Sequence, residues 1–266
     1  MIEILLPVLG FLIGTVASMI GIGGGVFIVS LLTLLYDFSP PHAVGTSLAS
    51  IVFTSLASTA NYSRQKRVYY KTGLVLAATT IPGAFVGAYL TSVIGARQLG
   101  LIFGVFLLFV ALRMIFEFSL FGSKRSDTKE NAQNPLAYSE SALFRSRTKL
   151  SLGVMLSFFG GISSGLLGIG GGSLLVPIMT FALNIPIHIA VAISMFTMIF
   201  TSTSGVIQHH SLGNIRFEYS LLLALGTVFG AQLGAYTSKR ISSRNLRRIF
   251  GIVLILVGVR MILKFI

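Results

Sequence analysis

The sequence predicts an all-α polytopic membrane protein built from two homologous inverted repeats, each a glycine-broken helical hairpin followed by three transmembrane helices. Three observations lead there. The 266 residues are 54% hydrophobic and 10% charged, with a mean hydropathy of +0.88, outside the range of soluble domains. Uncharged stretches such as 72–96 and 219–238 reach the roughly 20 apolar residues that span a bilayer core of about 30 Å. The chain also repeats itself: shifted by 147 positions, Gly10–Ile115 aligns without gaps on Ser157–Ile262. Roughly a third of the aligned positions are identical, over too long a stretch for chance.

The clearest shared feature is Gly21-Ile22-Gly23-Gly24-Gly25, which recurs letter for letter as Gly168-Ile169-Gly170-Gly171-Gly172. Glycines in a helix interior cost about 1 kcal/mol each relative to alanine and admit backbone angles closed to other residues. A helix should break there. One straight helix over 2–36 would be about 52 Å long at 1.5 Å per residue, far beyond a bilayer core, so the glycines must turn the chain back. The first half then reads as helices near 4–20, 26–36, 42–63, 72–93 and 97–118, and the second follows the same plan. The domains are 1–118, a first transmembrane repeat; 119–149, a charged and polar linker; and 150–266, a second repeat. The N-terminus carries Glu3 and no basic segment, which reads as a first membrane segment rather than a cleaved signal peptide.

The net charge of +13 is consistent with nucleic-acid binding, but the basic residues fall in short runs between apolar segments, where a topology signal belongs. No nucleic-acid partner is expected. The runs are Arg64, Lys66, Arg67 and Lys71; the linker; and Lys239, Arg240, Arg244, Arg247 and Arg248. A hairpin returning to its own side lets all three lie in the cytoplasm and makes the repeats inverted. With no cysteine in the chain, disulfides and thiolate chemistry are excluded. No Walker motif is present, so transport would draw on a gradient or be facilitated.

The paired Gly21–Gly25 and Gly168–Gly172 runs, the second continuing Ser173-Leu174-Leu175-Val176-Pro177 and each opening a half of similar helices, resemble the sulfite exporter TauE/SafE family of membrane permeases. The likeness covers nearly all of the chain outside the linker, and the first half departs from it with Ser30 where the second has Pro177. The resemblance implies export or uptake of small anions, typically sulfite or organosulfur anions such as sulfoacetate and thiosulfate, without ATPase parts.

The residues themselves suggest where an anion would sit. A helix beginning after each glycine run leaves up to four amides unbonded and about half a positive charge at its N-terminus, an arrangement that binds anions. The expected binding residues are Gly23, Gly24, Gly25 and Val26 with Gly170, Gly171, Gly172 and Ser173, and the hydroxyls of Ser47 and Ser194 as neighbouring donors. Thr54, Asn61, Thr201 and Gln208 are the expected pathway residues, polar at matching positions of the two halves. Close helix packing accounts for Gly10/Gly14, Gly83/Gly87, Gly100/Gly104 and Gly226/Gly230/Gly234, and the fourth helix of each half, 83–89 and 230–236, is expected to close around the site. Gly161-Ile162-Ser163-Ser164-Gly165 matches the serine-hydrolase pattern but has no oriented histidine, so a hydrolase reading stays remote. His209 and His210 are adjacent, hence divergent on a helix, and are expected to face a loop rather than hold a metal. Asp37, matched by Asn184, is expected at a helix terminus.

The reading is therefore a secondary transporter of a small anion in a bacterial-type plasma membrane, needing no cofactor and no metal, with a proton or cation as the coupling partner to test. An anion channel and, less favoured, an intramembrane enzyme are the alternatives.

Overall fold

The computed structural model describes residues 5–116, 147–238 and 243–266. Among them lie ten helices and no strand. In the first half these are α1 (Leu5–Ile20), α2 (Gly25–Leu35), α3 (Pro40–Arg64), α4 (Tyr70–Val93) and α5 (Ala96–Phe116). In the second they are α6 (Arg147–Leu167), α7 (Gly172–Pro177), α8 (Ile187–Ser211), α9 (Phe217–Thr237) and α10 (Ser243–Phe265). Most of the linker assigned to 119–149 lies outside the described residues, as do Lys239 and Arg240; α6 already begins at Arg147. Among the described residues five helices are long and apolar enough to cross a membrane: α3, α4, α6 from Leu150, α8 and α9.

The local structure follows from glycine and proline chemistry. α1 and α6 stop where the expected breaks fall, and Gly21, Gly23, Gly24 and their counterparts Gly168, Gly170, Gly171 all have φ between 69° and 86°. Only glycine holds that left-handed backbone without a Cβ penalty. The second hairpin departs from the first just where their sequences do. Ser30 stays in a continuous α2 and donates its hydroxyl to the Val26 carbonyl at 2.6 Å. Pro177, which has no N–H, ends α7, and a wider π turn over Ile178–Ala182 follows. Both hairpins end alike. Asp37 and Asn184 take left-handed angles (φ 52° and 54°), with Phe38 N–H bonded to Leu32 O at 3.1 Å and Ile185 N–H to Met179 O at 2.9 Å. Each bond reaches back six positions, one more than a Schellman closure, and still closes the helix C-terminus around a left-handed residue, the helix-end role expected for Asp37 and Asn184.

The halves interlock through reciprocal pairings: α1 packs on α9, α6 on α4, α5 on α10, and α3 on α8. Glycines set the closeness of these contacts. A Cβ on Gly226 would strike the Pro7 carbonyl, one on Gly230 that of Phe11, and one on Gly234 that of Thr15. Across the other pair, Gly83 faces Phe158 and Gly161, Gly87 faces Ile162, and Gly165 faces Ala84. The packing role expected of Gly10, Gly14, Gly83, Gly87, Gly226, Gly230 and Gly234 is what the helices use, as small residues let backbones approach. Gly161 and Gly165 lie inside the uninterrupted helix α6, so the Ser163 and Ser164 between them sit on no strand-to-helix elbow.

The same contacts give directions. Residue numbers rise together along α1 and α9 (Pro7 with Gly226, Thr15 with Gly234) and along α4 and α6 (Thr80 with Gly161, Ala84 with Gly165), so these pairs are parallel. They run oppositely along α5 and α10 (Gly100 with Phe265, Gly251 with Ile115) and along α3 and α8 (Gly45 with His209, Leu48 with Gly205). The core is the α3/α8 pair, 78% buried over its most apolar window in each helix, with the glycine turns held between them.

Candidate functional site: the paired glycine turns

The two glycine turns meet. A Cβ on Gly25 would fall on the Gly168 carbonyl and Ile169 Cα, and one on Gly172 on the Gly21 carbonyl. The contact is backbone on backbone and reciprocal. It is tied by two hydroxyls from the long core helices: Ser47 donates to the Gly168 carbonyl at 2.8 Å, and Ser194 shares its proton between the Gly21 carbonyl at 3.0 Å and its own helix's Val191 carbonyl at 2.9 Å. Each serine comes from one half and grips the turn of the other. The two residues expected as anion donors are thus at the turns, with their hydroxyl protons committed to carbonyls in this conformation.

The helix ends carry the expected donor groups. Gly24 and Gly171 stand at the N-caps of α2 and α7 without side-chain caps. The first bonds in each helix run from Phe27 and Ile28 to Gly24 O, and from Leu174 and Leu175 to Gly171 O. The amides of Gly23, Gly24, Gly25 and Val26, and those of Gly170, Gly171 and Gly172, find no acceptor among the described residues. Every residue of both turns is buried, with Val26 fully so and Ser173 4% exposed. Orphan amides inside an apolar core are costly to leave unpaired, about 1–3 kcal/mol each, and a ligand with oxygen acceptors would satisfy them. Ser164 adds a buried hydroxyl with no partner among the described residues. Its Cβ lies 3.5 Å from the Cβ position of Gly171, whereas Ala17 takes that place beside Gly24.

Between the turns lie two side chains that the sequence reading did not single out. The Met198 terminal methyl occupies the space that a Cβ on Gly23 or on Gly170 would need, and Ile51 Cγ2 lies 3.0 Å from that position at Gly170. They are equivalent residues, 147 apart, each one helical turn beyond Ser47 or Ser194. That i, i+4 spacing was the available signal, because it puts them on the serine face. Both sit near the middle of 25-residue helices, each about 37 Å long. The turns therefore lie at mid-height of the core.

The pathway residues divide. Thr54 and Thr201 are wholly buried and bond back to Ser50 O and Thr197 O at 3.0 Å, and Thr201 also pairs with Thr80 at 2.7 Å. This is the ordinary habit of hydroxyls in membrane helices. Asn61 joins a carboxamide cluster near the end of α3, donating to Gln232 O and Oε1 at 3.1 Å and accepting from Gln65 at 2.8 Å. Gln208, half-buried, has no such cluster: Phe85 and Leu212 stand where Gln232 and Gln65 do in the first half. His209 corrects the expectation. It is fully buried rather than loop-facing, with Nε2 donating to the Gly165 carbonyl at 3.0 Å, while His210 is exposed. The reason lies in the repeat: its counterpart Tyr62 is also fully buried and donates to Ser18 O at 2.8 Å, and Ser18 is the counterpart of Gly165. No group of three or more His, Cys, Asp or Glu capable of holding a metal occurs among the described residues.

A multi-span, all-α protein whose core helices clasp two buried, polar-backbone turns has the build of a membrane transporter. The chain belongs to the sulfite exporter TauE/SafE family, whose model matches residues 6–261. A probable membrane transporter protein of Bacillus subtilis, YunE, is 35% identical over 97% of both chains. Another, MJ0441 of Methanocaldococcus jannaschii, is 27% identical over 97% of this chain and 95% of its own. An Arabidopsis thaliana sulfite exporter TauE/SafE family protein is 32% identical over 33% of this chain and 19% of its own length. No solved structure matches.

Proposed function

We propose that the protein is a secondary transporter for a small oxyanion, sulfite or an organosulfur anion such as sulfoacetate or thiosulfate, bound at the paired glycine turns and passed by alternating access. The observation that carries the reading is the meeting of two helix N-termini with unbonded amides at mid-height of the core. Such ends attract negative charge through the helix dipole and oriented N–H groups, and need no buried arginine or lysine.

Inverted repeats would bring those ends together from opposite faces. The helix directions support this: α9 runs with α1, α3 runs with α9 (Ser50 with Ser220, Asn61 with Gln232), and the short connections reverse α4 and then α5, so that α3 and α5 run with α1, and α6, α8 and α10 against it. The C-terminal ends of α3, α5 and α9 then share one face, the ends beside which the three basic runs fall in sequence. That face is the cytoplasmic one by the bias of lysine and arginine. Each hairpin would enter and return on its own side. The turns touch and their serines are tied in the present conformation, which fits an occluded state.

Saturable counterflow of labelled sulfoacetate, thiosulfate or sulfite in proteoliposomes is the expected behaviour. Unitary currents in a planar bilayer would favour the channel alternative instead. For topology, the cysteine-free chain allows Arg67→Cys and Arg244→Cys to be labelled one at a time. Labelling from the same side is expected, and opposite sides would overturn the inversion.

A further inference from the structure

We propose that Met198 is the movable half of an apolar plug between the glycine turns and Ile51 its fixed half, so that the anion gains access by displacing the Met198 side chain alone. The inference rests on the reading of the turns as the anion site and adds what regulates it.

The plug is built from equivalent residues of the repeat, both with no exposed surface. The Met198 methyl lies against Gly23 and Gly170, and its sulfur is 2.7 Å from the Cβ position of Gly172. Ile51 reaches Gly25, Gly23 and Gly170. Any side chain at Gly23 or Gly170 would evict the methyl, so glycine there serves the plug as well as the turn. The two residues differ in what they can do next. Methionine is unbranched, with three torsions to rotate, and adapts to irregular spaces. Isoleucine in a helix is held to one χ1 rotamer in about nine cases of ten, so moving Ile51 means moving α3. A nearly symmetric core thus has an asymmetric opening, on the side of α8.

The chain's lack of cysteine gives the variants Met198→Cys and Ile51→Cys one thiol each, tested with N-ethylmaleimide on the full protein in liposomes. Sulfoacetate is the probe anion because it does not add to maleimide. The thiol of Met198→Cys should react about tenfold faster than that of Ile51→Cys, because the opening lies on the α8 side. Sulfoacetate should change the rate in Met198→Cys and leave that in Ile51→Cys unaltered. Equal rates in the two variants overturn the plug, even where sulfoacetate raises the melting temperature of the wild type and so upholds the site. A fast-reacting Met198→Cys that is indifferent to sulfoacetate and other sulfonates upholds the movable side chain and removes the anion from the turns. If either cysteine variant fails to fold, the wild type labelled at methionine methyls gives the same answer. The Met198 resonance, assigned by its loss in Met198→Leu, should be exchange-broadened while the equally buried Met179 and Met195 stay sharp; a sharp Met198 signal overturns the proposal.

Discussion

Glycine appears in two regions of this molecule for two different reasons. Along the α1/α9 and α4/α6 seams the glycines are helical and are required by what lies opposite, a carbonyl of the neighbouring helix. At the two turns Gly21, Gly23, Gly24 and their counterparts Gly168, Gly170, Gly171 are required by their own backbone, at φ between 69° and 86°, and at Gly171 the nearest atom to a would-be Cβ is still 3.4 Å away. The seams fix how closely the halves interlock, and the turns fix where amides are left without acceptors. One residue type therefore carries both the scaffold and the candidate site, and substitution can separate them.

The largest effect is expected at a seam. Gly226→Ala drives a methyl into the Pro7 carbonyl and the Phe11 amide, an overpacking cost of about 3 kcal/mol or more where neither backbone can yield. Detergent-extracted protein should melt well below the wild type or fail to accumulate. A wild-type melting temperature would end the close-approach account of the seams. Next comes Gly171→Ala, where space exists and the left-handed backbone is the main obstacle, worth about 1–2 kcal/mol. Gly213→Ala is its control, with φ 71° and nothing within 4 Å of the new methyl. Both should lose similar stability in thermal melts, and only Gly171→Ala should lose anion uptake. Equal uptake in the two would mean that the turn is structural alone.

Ser47→Ala and Ser194→Ala test the reciprocal ties. Each removes one hydroxyl bond to a buried carbonyl and should cost about 1 kcal/mol, with a double variant losing more than either alone; unchanged melting in both would show that the turns hold each other without them. The smallest effect concerns the exposed Asp37, whose contact with Lys264 at 2.5 Å links the α2–α3 connection to α10. The bond and charge of Lys264 hold the Asp37 carboxyl below its ordinary value of 3.8. A depressed carboxylate contributes stability above its unfolded pKa and loses it as pH falls through the folded one. Wild type and Asp37→Asn should therefore differ slightly in melting temperature at neutral pH and converge below the usual carboxylate range. A gap that widens on acidification would contradict the pairing.

Most of the fold was legible because its signals are local. The apolar runs, the 147-residue repeat and the glycine breaks placed the first-half helix ends between residues 20 and 97 within about two residues of where they lie, the usual uncertainty of such boundaries. The π turn after Pro177 was foreshadowed only as a departure from Ser30. The site was legible in part. Sequence located the turns and the two serines, but hydroxyl count cannot tell which carbonyl takes the proton, so the cross-half ties of Ser47 to Gly168 and Ser194 to Gly21 emerged only in three dimensions. Ile51 and Met198 look like any apolar helix residues until the turns of both halves are brought against them. His209 was misplaced because its burial depends on Gly165 of another helix, whereas the neighbouring His210 does face outward.

The proposed transport places an oxyanion at the meeting of the two glycine turns. Anomalous diffraction from crystals soaked in selenite, the heavier analogue of sulfite, tests it most directly. One strong peak is expected within about 4 Å of the amide nitrogens of Gly23–Val26 or Gly170–Ser173, hydrogen-bonding reach plus the Se–O bond, with the Met198 side chain moved aside. A peak confined to the basic ends near Arg64–Lys71, with the turns empty and Met198 in place, would contradict it.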